Sequence, residues 1–150
     1  MKRVFLSLVC TLLATGLFAQ SEEQKKEIIN VIDLSYVQGI HNAREIDNIN
    51  KGFHPGFNLL GVDQMTNALT KYPIYTWEAG VRKRVDAEQL PAVKTRAKYP
   101  MIDITGSAAV AKVELYREDK LIFTDYLFLY KFNEGWRIVS KVYYRHPEEK

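Results

Sequence analysis

The 150-residue chain is predicted to fold as one α+β domain that follows a short export signal. Three observations lead to this prediction. Apolar residues recur at helical spacing over residues 22–43. Four long segments of strand-like composition, separated by short turns, occupy most of residues 99–145. A basic start followed by an apolar run occupies the first nineteen residues.

Residues 1–19 are interpreted as a secretory signal peptide. Lys2 and Arg3 precede an apolar run, and small residues lead up to Ala19. A basic start, a short apolar segment and a small-residue cleavage site are typical of such peptides. We expect cleavage after Ala19, with Gln20 as the neighbouring option, and a protein that is periplasmic or secreted. The run is too short and interrupted for a membrane anchor, so no stable membrane insertion is expected after cleavage.

Cleavage changes the composition of the chain that folds, which is residues 20–150. Removing residues 1–19 lowers the net charge from +3 to +1, with 19 basic residues against 18 acidic ones. No nucleic-acid partner is expected, because such binding needs a concentrated basic surface. The single cysteine, Cys10, leaves as well, which excludes disulfides, thiolate metal sites and cysteine nucleophiles.

The first half of the domain is predicted to be mainly helical. Ser21 is a suitable N-cap for a helix over 22–43, and a short helix follows over 45–52 until the His-Pro-Gly sequence at 54–56. A strand is predicted over 57–62. Residues 64–74 are ambiguous, and a second short strand is one interpretation of them. Apolar residues four apart predict a third helix over 76–89.

The second half is predicted to be a meander of four strands. Their predicted bounds are 99–105, 108–117, 121–132 and 136–145. Gly135 supplies the positive φ that a tight hairpin requires. Helices first and then a meander, with one helix between strands, is typical of an α+β fold rather than an alternating α/β fold.

Three stretches of the sequence carry a resemblance to a known family: residues 53–57 (FHPGF), 104–113 (ITGSAAVAKV) and 124–141. Together they resemble the "putative lumazine-binding" family of the nuclear transport factor 2-like (NTF2-like) superfamily, over residues 24–145. The resemblance implies a cone-shaped domain with N-terminal helices on a strongly bent, mixed, mostly antiparallel sheet, and a pocket inside. Relatives include ketosteroid isomerase-like and polyketide cyclase-like enzymes as well as binding and dimerising modules, so fold alone does not fix function.

Asp125 is the most informative candidate for chemistry. It lies on a predicted strand whose two faces are both apolar, where a carboxylate must be paired or hydrogen-bonded. One interpretation is a pocket acid or base, because burial raises the pKa of a carboxyl into the range that proton transfer needs. The other, which we favour, is a structural ion pair with Lys131, Lys141 or Lys112.

Tyr36 and His54 are the other candidates for catalysis. One interpretation is that the Tyr36 hydroxyl polarises a carbonyl in the pocket, as a tyrosine does in ketosteroid isomerase-like relatives. The other, which we favour, is that Tyr36 is a core residue whose hydroxyl has one hydrogen-bond partner. His54 would shuttle protons near neutral pH, or would close its turn by bonding a helix-end carbonyl, which we favour. His41, at the end of the first helix, is expected to be charged and to suit the helix dipole.

The ligand-binding residues predicted for the pocket are polar, aromatic and aliphatic. They are Tyr36, His54, Phe57, Trp77, Asp125, Leu127, Lys131 and Trp136. The histidines lack metal-ligand spacing, and the sequence has neither a phosphate-binding glycine loop nor a serine nucleophile elbow. No metal or other cofactor is therefore expected. The basic run at 82–84 would attract an anionic ligand or a membrane surface, or would be a solvated helix face, which we favour.

These observations favour an exported domain that binds a small organic molecule in an apolar pocket. The two apolar faces of the strand over 121–132 predict a homodimer. The alternative is an isomerase-, cyclase- or dehydratase-type enzyme with Asp125 as general acid or base, assisted by Tyr36 or His54. Catalysis needs two polar groups with opposed pKa shifts in one cavity, and Asp125 is the only good candidate. A third hypothesis is an interaction domain whose pocket is filled by its own side chains.

Overall fold

The helices of the computed structural model, which describes residues 21–147, pack on a six-stranded sheet. Helix α1 is α-helical over residues 21–32 and continues as a π-helix over Asp33–His41. Helix α2 spans Ile46–Gly52 and helix α3 spans Ile74–Asp86. The predicted α+β class is confirmed. Hydrophobic spacing located α1 but did not indicate its π-helical half, because apolar residues at every fourth position are compatible with the hydrogen-bond ladders of both helix types. No helix within residues 21–147 is long and apolar enough to cross a membrane.

The sheet is mixed and open, with strand order β2-β1-β6-β5-β4-β3. The strands are β1 (Phe53–Val62), β2 (Leu69–Pro73), β3 (Thr95–Thr105), β4 (Ala108–Arg117), β5 (Lys120–Phe132) and β6 (Gly135–Arg145). Strands β1 and β6 pair in parallel, and the other neighbours pair antiparallel. The register shifts within the β1–β6, β3–β4, β4–β5 and β5–β6 pairs. Such bulges bend a sheet, and the concave face receives α1.

Two strands begin four residues earlier than the sequence predicted. Strand β1 begins at Phe53 rather than at residue 57, because a register shift between Phe53 and Asn58 lets the chain pass Pro55, which has no N–H for the ladder. Strand β3 begins at Thr95 rather than at residue 99, and its pairing with β4 is interrupted between Lys98 and Met101. The ambiguous segment 64–74 does contain a short strand, β2.

The hydrophobic core lies between α1 and the concave face of the sheet. Its largest fully buried apolar side chains come from α1, α2 and strands β1, β4, β5 and β6, and they are Ile28, Ile32, Tyr36, Ile49, Phe57, Leu115, Leu127, Leu129 and Ile138. Along β5 the inward residues are buried and alternate with exposed aromatic residues on the other face. Among residues 21–147, helices therefore cover only one face of the sheet.

Helices α1 and α2 meet at a glycine. A Cβ atom at Gly52 would overlap the Cβ and Oγ atoms of Ser35 and would lie 3.2 Å from the Val31 carbonyl oxygen. The Ser35 hydroxyl is itself held by a 2.6 Å hydrogen bond that it donates to the same carbonyl. The absence of a side chain at position 52 is therefore what lets the two helices pack closely.

We predict that Gly52→Ala destabilises the domain by about 1 to 3 kcal/mol, because neither Ser35 nor the α1 backbone can move without disturbing the core. The matched control is Gly80→Ala on α3, where the nearest atom to an added Cβ is the Arg84 guanidinium at 3.7 Å. That change is expected to stabilise the domain by about 0.5 to 1 kcal/mol. Urea denaturation measures both free energies of unfolding, and equal values for the two variants would contradict the prediction.

Candidate functional site

Tyr36, Asp125 and Lys141 form a hydrogen-bonded cluster in the core, which we call the buried triad. The Tyr36 hydroxyl donates to Oδ2 of Asp125 at 2.6 Å. The Lys141 ammonium donates to the Tyr36 hydroxyl oxygen at 2.6 Å and to Oδ1 of Asp125 at 2.8 Å. Asp125 and Tyr36 are completely buried, and Lys141 is 4% exposed. Each member therefore satisfies polar atoms of the other two, and very little of the cluster is exposed to solvent.

The sheet register brings the two charges together. Lys141 on β6 pairs with Leu127 on β5, so it is the diagonal neighbour of Asp125 on the same concave face. Tyr36 comes from the π-helical half of α1, which packs over this face. Of the three lysines proposed as partners of Asp125, the structure selects Lys141. Lys131 instead pairs with Glu27 at 3.1 Å.

Burial and pairing set the protonation of the triad. Burial, followed by the nearby Asp125 carboxylate, raises the pKa of Tyr36 well above its usual value, so the phenol is neutral at physiological pH. Burial also lowers the pKa of Lys141, and the Asp125 carboxylate opposes this change by stabilising the ammonium. The ammonium, the carboxylate and the neutral phenol together therefore carry no net charge.

Aromatic rings surround the ammonium of Lys141. Its Nζ atom lies 4.8 Å from the centroid of Tyr36, 5.0 Å from that of Tyr143 and 5.5 Å from that of Trp77. Phe123 adds a fourth ring at 5.9 Å. Ring faces carry partial negative charge, so these contacts stabilise the cation in addition to the carboxylate.

A cavity of about 330 Å³ opens beside the triad. Its wall is mainly aromatic and aliphatic, and it is formed by Tyr36, His41, Leu59, Gly61, Thr70, Tyr72, Trp77, Phe123, Lys141, Tyr143 and Arg145. Asp125 is not part of the wall and lies behind Tyr36 and Lys141. The volume and the few polar groups in an apolar wall are typical of a site for a small organic molecule.

His41 contributes an unpaired polar atom to this region. Its Nε2 atom is buried and has no hydrogen-bond partner among residues 21–147, while its ring meets the Tyr36 ring edge-on at 4.8 Å. Burial lowers the pKa of His41 to about 3, with further contributions from Lys141 and three arginines. The expectation of a charged His41 at the helix end was therefore wrong, because burial and neighbouring cations keep the imidazole neutral.

The structure brings together three of the predicted site residues and separates the others. Tyr36 and Trp77 line the cavity, and Asp125 supports it from behind. Phe57 is buried behind Trp77, with the two rings stacked at 6.1 Å. Leu127 is completely buried in the core.

The remaining predicted residues lie outside the cavity wall. The Lys131 ammonium lies 5.8 Å from the centroid of Trp136, whose indole nitrogen is buried without a partner among the described residues. His54 Nδ1 accepts a 3.0 Å hydrogen bond from the Gly56 amide, and its ring stacks on Phe132 at 4.9 Å. The expected bond from His54 to a helix-end carbonyl was wrong, because its ring closes the turn by accepting from an amide.

Several cavity residues were not identified from the sequence. Lys141 was considered only as an ion-pair partner of Asp125. Leu59 and Thr70 lie on strands that reach the cavity through the β2–β1–β6 pairing, which no local pattern reveals. Among residues 21–147, no group of three or more histidine, cysteine, aspartate or glutamate side chains is arranged to hold a metal ion.

We predict that Lys141→Met destabilises the domain by about 3 to 5 kcal/mol, because it leaves the Asp125 carboxylate buried without its cation. The double variant Asp125→Asn/Lys141→Met is expected to be more stable than Lys141→Met alone, since no buried charge is left. Lys112→Met is the control, because Lys112 forms a 3.7 Å ion pair with Glu114 nearer the surface and should cost less than about 1 kcal/mol. Free energies of unfolding test this prediction, and a Lys141→Met variant as stable as Lys112→Met would contradict it.

Comparison with solved structures shows similarity to several NTF2-like proteins. An NTF2-like protein of unknown function from Shewanella baltica is 29% identical, with 84% of this chain and 96% of that chain covered and a TM-score of 0.66. Another from Silicibacter pomeroyi is 18% identical, with 84% and 98% covered and a TM-score of 0.67. No curated protein gives a significant match.

The family comparison agrees with the resemblance noted in the sequence. The model of the family described as "Putative lumazine-binding" matches residues 22–144, which is most of the chain. The match includes α2, α3 and nearly all of the sheet. The chain therefore belongs to the putative lumazine-binding family, and its fold is that of the NTF2-like proteins.

Proposed function

We propose that this protein is an exported domain that binds a small planar organic molecule in the cavity beside the buried triad. The family to which it belongs suggests small-molecule binding. The observation that carries the proposal is the aromatic wall of the cavity, with Lys141 and Tyr36 as polar groups at its inner end. Such a combination gives a ligand both contact area and orientation.

The unused hydrogen-bonding capacity of these groups indicates the chemistry of the ligand. An ammonium has three N–H donors, and two of those of Lys141 are taken by Tyr36 and Asp125. The third N–H can donate to a ligand, and the neutral His41 ring offers its unpaired Nε2 atom. We therefore infer a flat heteroaromatic or carbonyl compound whose acceptor atoms face Lys141. Lumazine, a bicyclic heteroaromatic with ring carbonyls, is a suitable first probe.

The position of Asp125 supports binding over catalysis by this residue. Both of its carboxylate oxygens already accept hydrogen bonds from Tyr36 and Lys141, and it does not line the cavity. A general acid or base must reach the proton that it transfers, directly or through one water. The isomerase-, cyclase- or dehydratase-type alternative would need Tyr36 or Lys141 to be the group that contacts the substrate.

We also propose that the mature protein is a homodimer formed through the outer face of the sheet. This face exposes Phe128, Tyr130 and Tyr144 to 43%, 51% and 59%, and Tyr126 and Val142 extend the same surface. A contiguous apolar patch of this kind is uncommon on a monomer and is typical of an interface. A second copy is the partner that this chain always has available.

We predict that the protein purified from its natural host begins near Gln20 and is dimeric. Export removes residues 1–19, and pairing of the outer faces buries the exposed aromatic residues. Intact-mass and native mass spectrometry measure the N-terminus and the oligomeric state in one experiment. The Phe128→Glu variant is expected to be monomeric. A chain that retains residues 1–19 would contradict export, and a wild-type monomer at micromolar concentration would contradict the dimer.

We predict that a bulky residue at Thr70 blocks the cavity. Thr70 lines the cavity from the exposed strand β2, so Thr70→Trp should fold normally while weakening lumazine binding at least 10-fold. Lys71→Trp is the matched control, since Lys71 is the next residue on the same exposed strand and does not line the cavity. Isothermal titration calorimetry measures the affinities. Absence of binding to the wild type would exclude lumazine, and equal affinities for both variants would place the ligand elsewhere.

A further inference from the structure

Three arginines from distant parts of the sequence act electrostatically on His41. Arg44 follows α1, Arg84 is in the last turn of α3, and Arg117 is the last residue of β4. We propose that Arg44, Arg84 and Arg117 form a binding site for a tetrahedral oxyanion, namely a phosphate group that is either free or carried by a small organic molecule. This site is distinct from the buried triad, and it does not depend on the function proposed above.

The backbone around Arg44 is fixed to the sheet. The Asn42 side chain donates to the Thr95 carbonyl at 2.9 Å and accepts from the Thr95 amide at 2.8 Å. Thr95 is in turn the register partner of Arg117, whose Nε donates to the Thr95 hydroxyl at 3.5 Å. Arg44 and Arg117 are therefore anchored through the same residue of β3.

Arg44 holds an unusual conformation, and two of its guanidinium nitrogens have no acceptor among residues 21–147. Its φ is +57°, in the left-handed region that favours glycine, and its amide donates to the Gln38 carbonyl at 3.0 Å. Its Nε and one terminal nitrogen are buried without a hydrogen-bond partner among residues 21–147. Buried guanidinium donors without acceptors are costly, so this arrangement is best explained by an acceptor that binds there.

Two other arginines, Arg82 and Arg96, have acidic partners in contrast. Arg82 pairs with Glu78 at 3.0 Å, and Arg96 pairs with Asp119 at 3.0 Å. Within the described residues, none of Arg44, Arg84 and Arg117 forms a salt bridge with a carboxylate. The basic run at 82–84 was expected to be a solvated helix face. In the structure Arg82 pairs with Glu78 on the same helix, whereas Arg84 belongs with Arg44 and Arg117 to what we call the arginine cluster.

The positive charge of this cluster is not compensated. Burial lowers the pKa of Arg44, and the charges of Arg84 and Arg117 lower it further. All three arginines also help to keep the neighbouring His41 neutral. A dianion would replace this mutual repulsion by attraction, and guanidinium groups match phosphate oxygens in geometry as well as in charge. Three guanidinium groups offer more donors than the two oxygens of a carboxylate can use, which favours phosphate.

The source of the phosphate is constrained by the position of His41. His41 lines the cavity and its pKa is influenced by all three arginines, so the arginine cluster and the cavity are both close to this residue. A phosphate monoester could place its phosphate at the arginines and its organic part in the cavity. Free phosphate would use the arginines alone.

The test is calorimetric titration of the full mature protein with inorganic phosphate at constant ionic strength in chloride. We expect one phosphate per chain for the wild type, and at least 10-fold weaker binding for Arg44→Gly, Arg84→Met and Arg117→Met. Glycine accepts the φ at position 44, so Arg44→Gly should remain folded while losing the guanidinium. Arg82→Met and Arg96→Met are the matched controls and should bind as the wild type does. Absence of wild-type binding above that of chloride, or an equal loss in the controls, would overturn the proposal.

A second titration with phenyl phosphate identifies the source. Tighter binding of phenyl phosphate than of inorganic phosphate, with the gain lost in Thr70→Trp, supports a phosphate monoester that reaches the cavity. If phenyl phosphate and inorganic phosphate bind with equal affinity, and the three arginine variants weaken both, the result indicates free phosphate. Binding of phenyl phosphate that is insensitive to all three arginines would overturn the site, and it would leave the cavity proposal intact.

Discussion

The buried charge pair between Asp125 and Lys141 is the constraint on which the rest of this structure depends. Neither charge is tolerable alone in the interior, because the desolvation of each costs several kcal/mol. Together with the Tyr36 hydroxyl they satisfy one another, but only if three separate elements hold their positions. The triad therefore fixes the register of β5 against β6 and the position of α1 over the sheet. An apolar core of the same volume would not specify that arrangement as sharply.

The cavity follows from the same constraint. Lys141 brings a cation to the concave face, and the aromatic residues that stabilise it also form the wall of the cavity. The polar inner end and the apolar wall are thus two consequences of placing one lysine inside the sheet.

The amount that could be predicted from the sequence differs from one part of the structure to another. The strands of the meander and the helical stripe with Tyr36 follow from local periodicity, because each lies within one element. The pairing of Asp125 with a lysine followed from the cost of an isolated buried carboxylate, although three lysines satisfied that argument equally. The choice of Lys141 depends on the β5–β6 register, which includes a shift between Phe128 and Leu129 that no local sequence pattern indicates. The arginine cluster joins residues 44, 84 and 117, so no spacing pattern could have indicated it.

The parallel pairing of β1 with β6 has a consequence for how the protein acquires its structure. The hydrogen bond between Tyr36 and Lys141 joins residues 105 positions apart, and β1 finds its partner only in the last strand of the sheet. Such long-range contacts slow folding, because the intervening chain must be ordered before they can form. In a nascent chain, the N-terminal helices would carry Tyr36 and an apolar stripe but would have no sheet on which to bury them. A chain of this topology remains without its core until synthesis is almost complete, and that delay would favour the export proposed above.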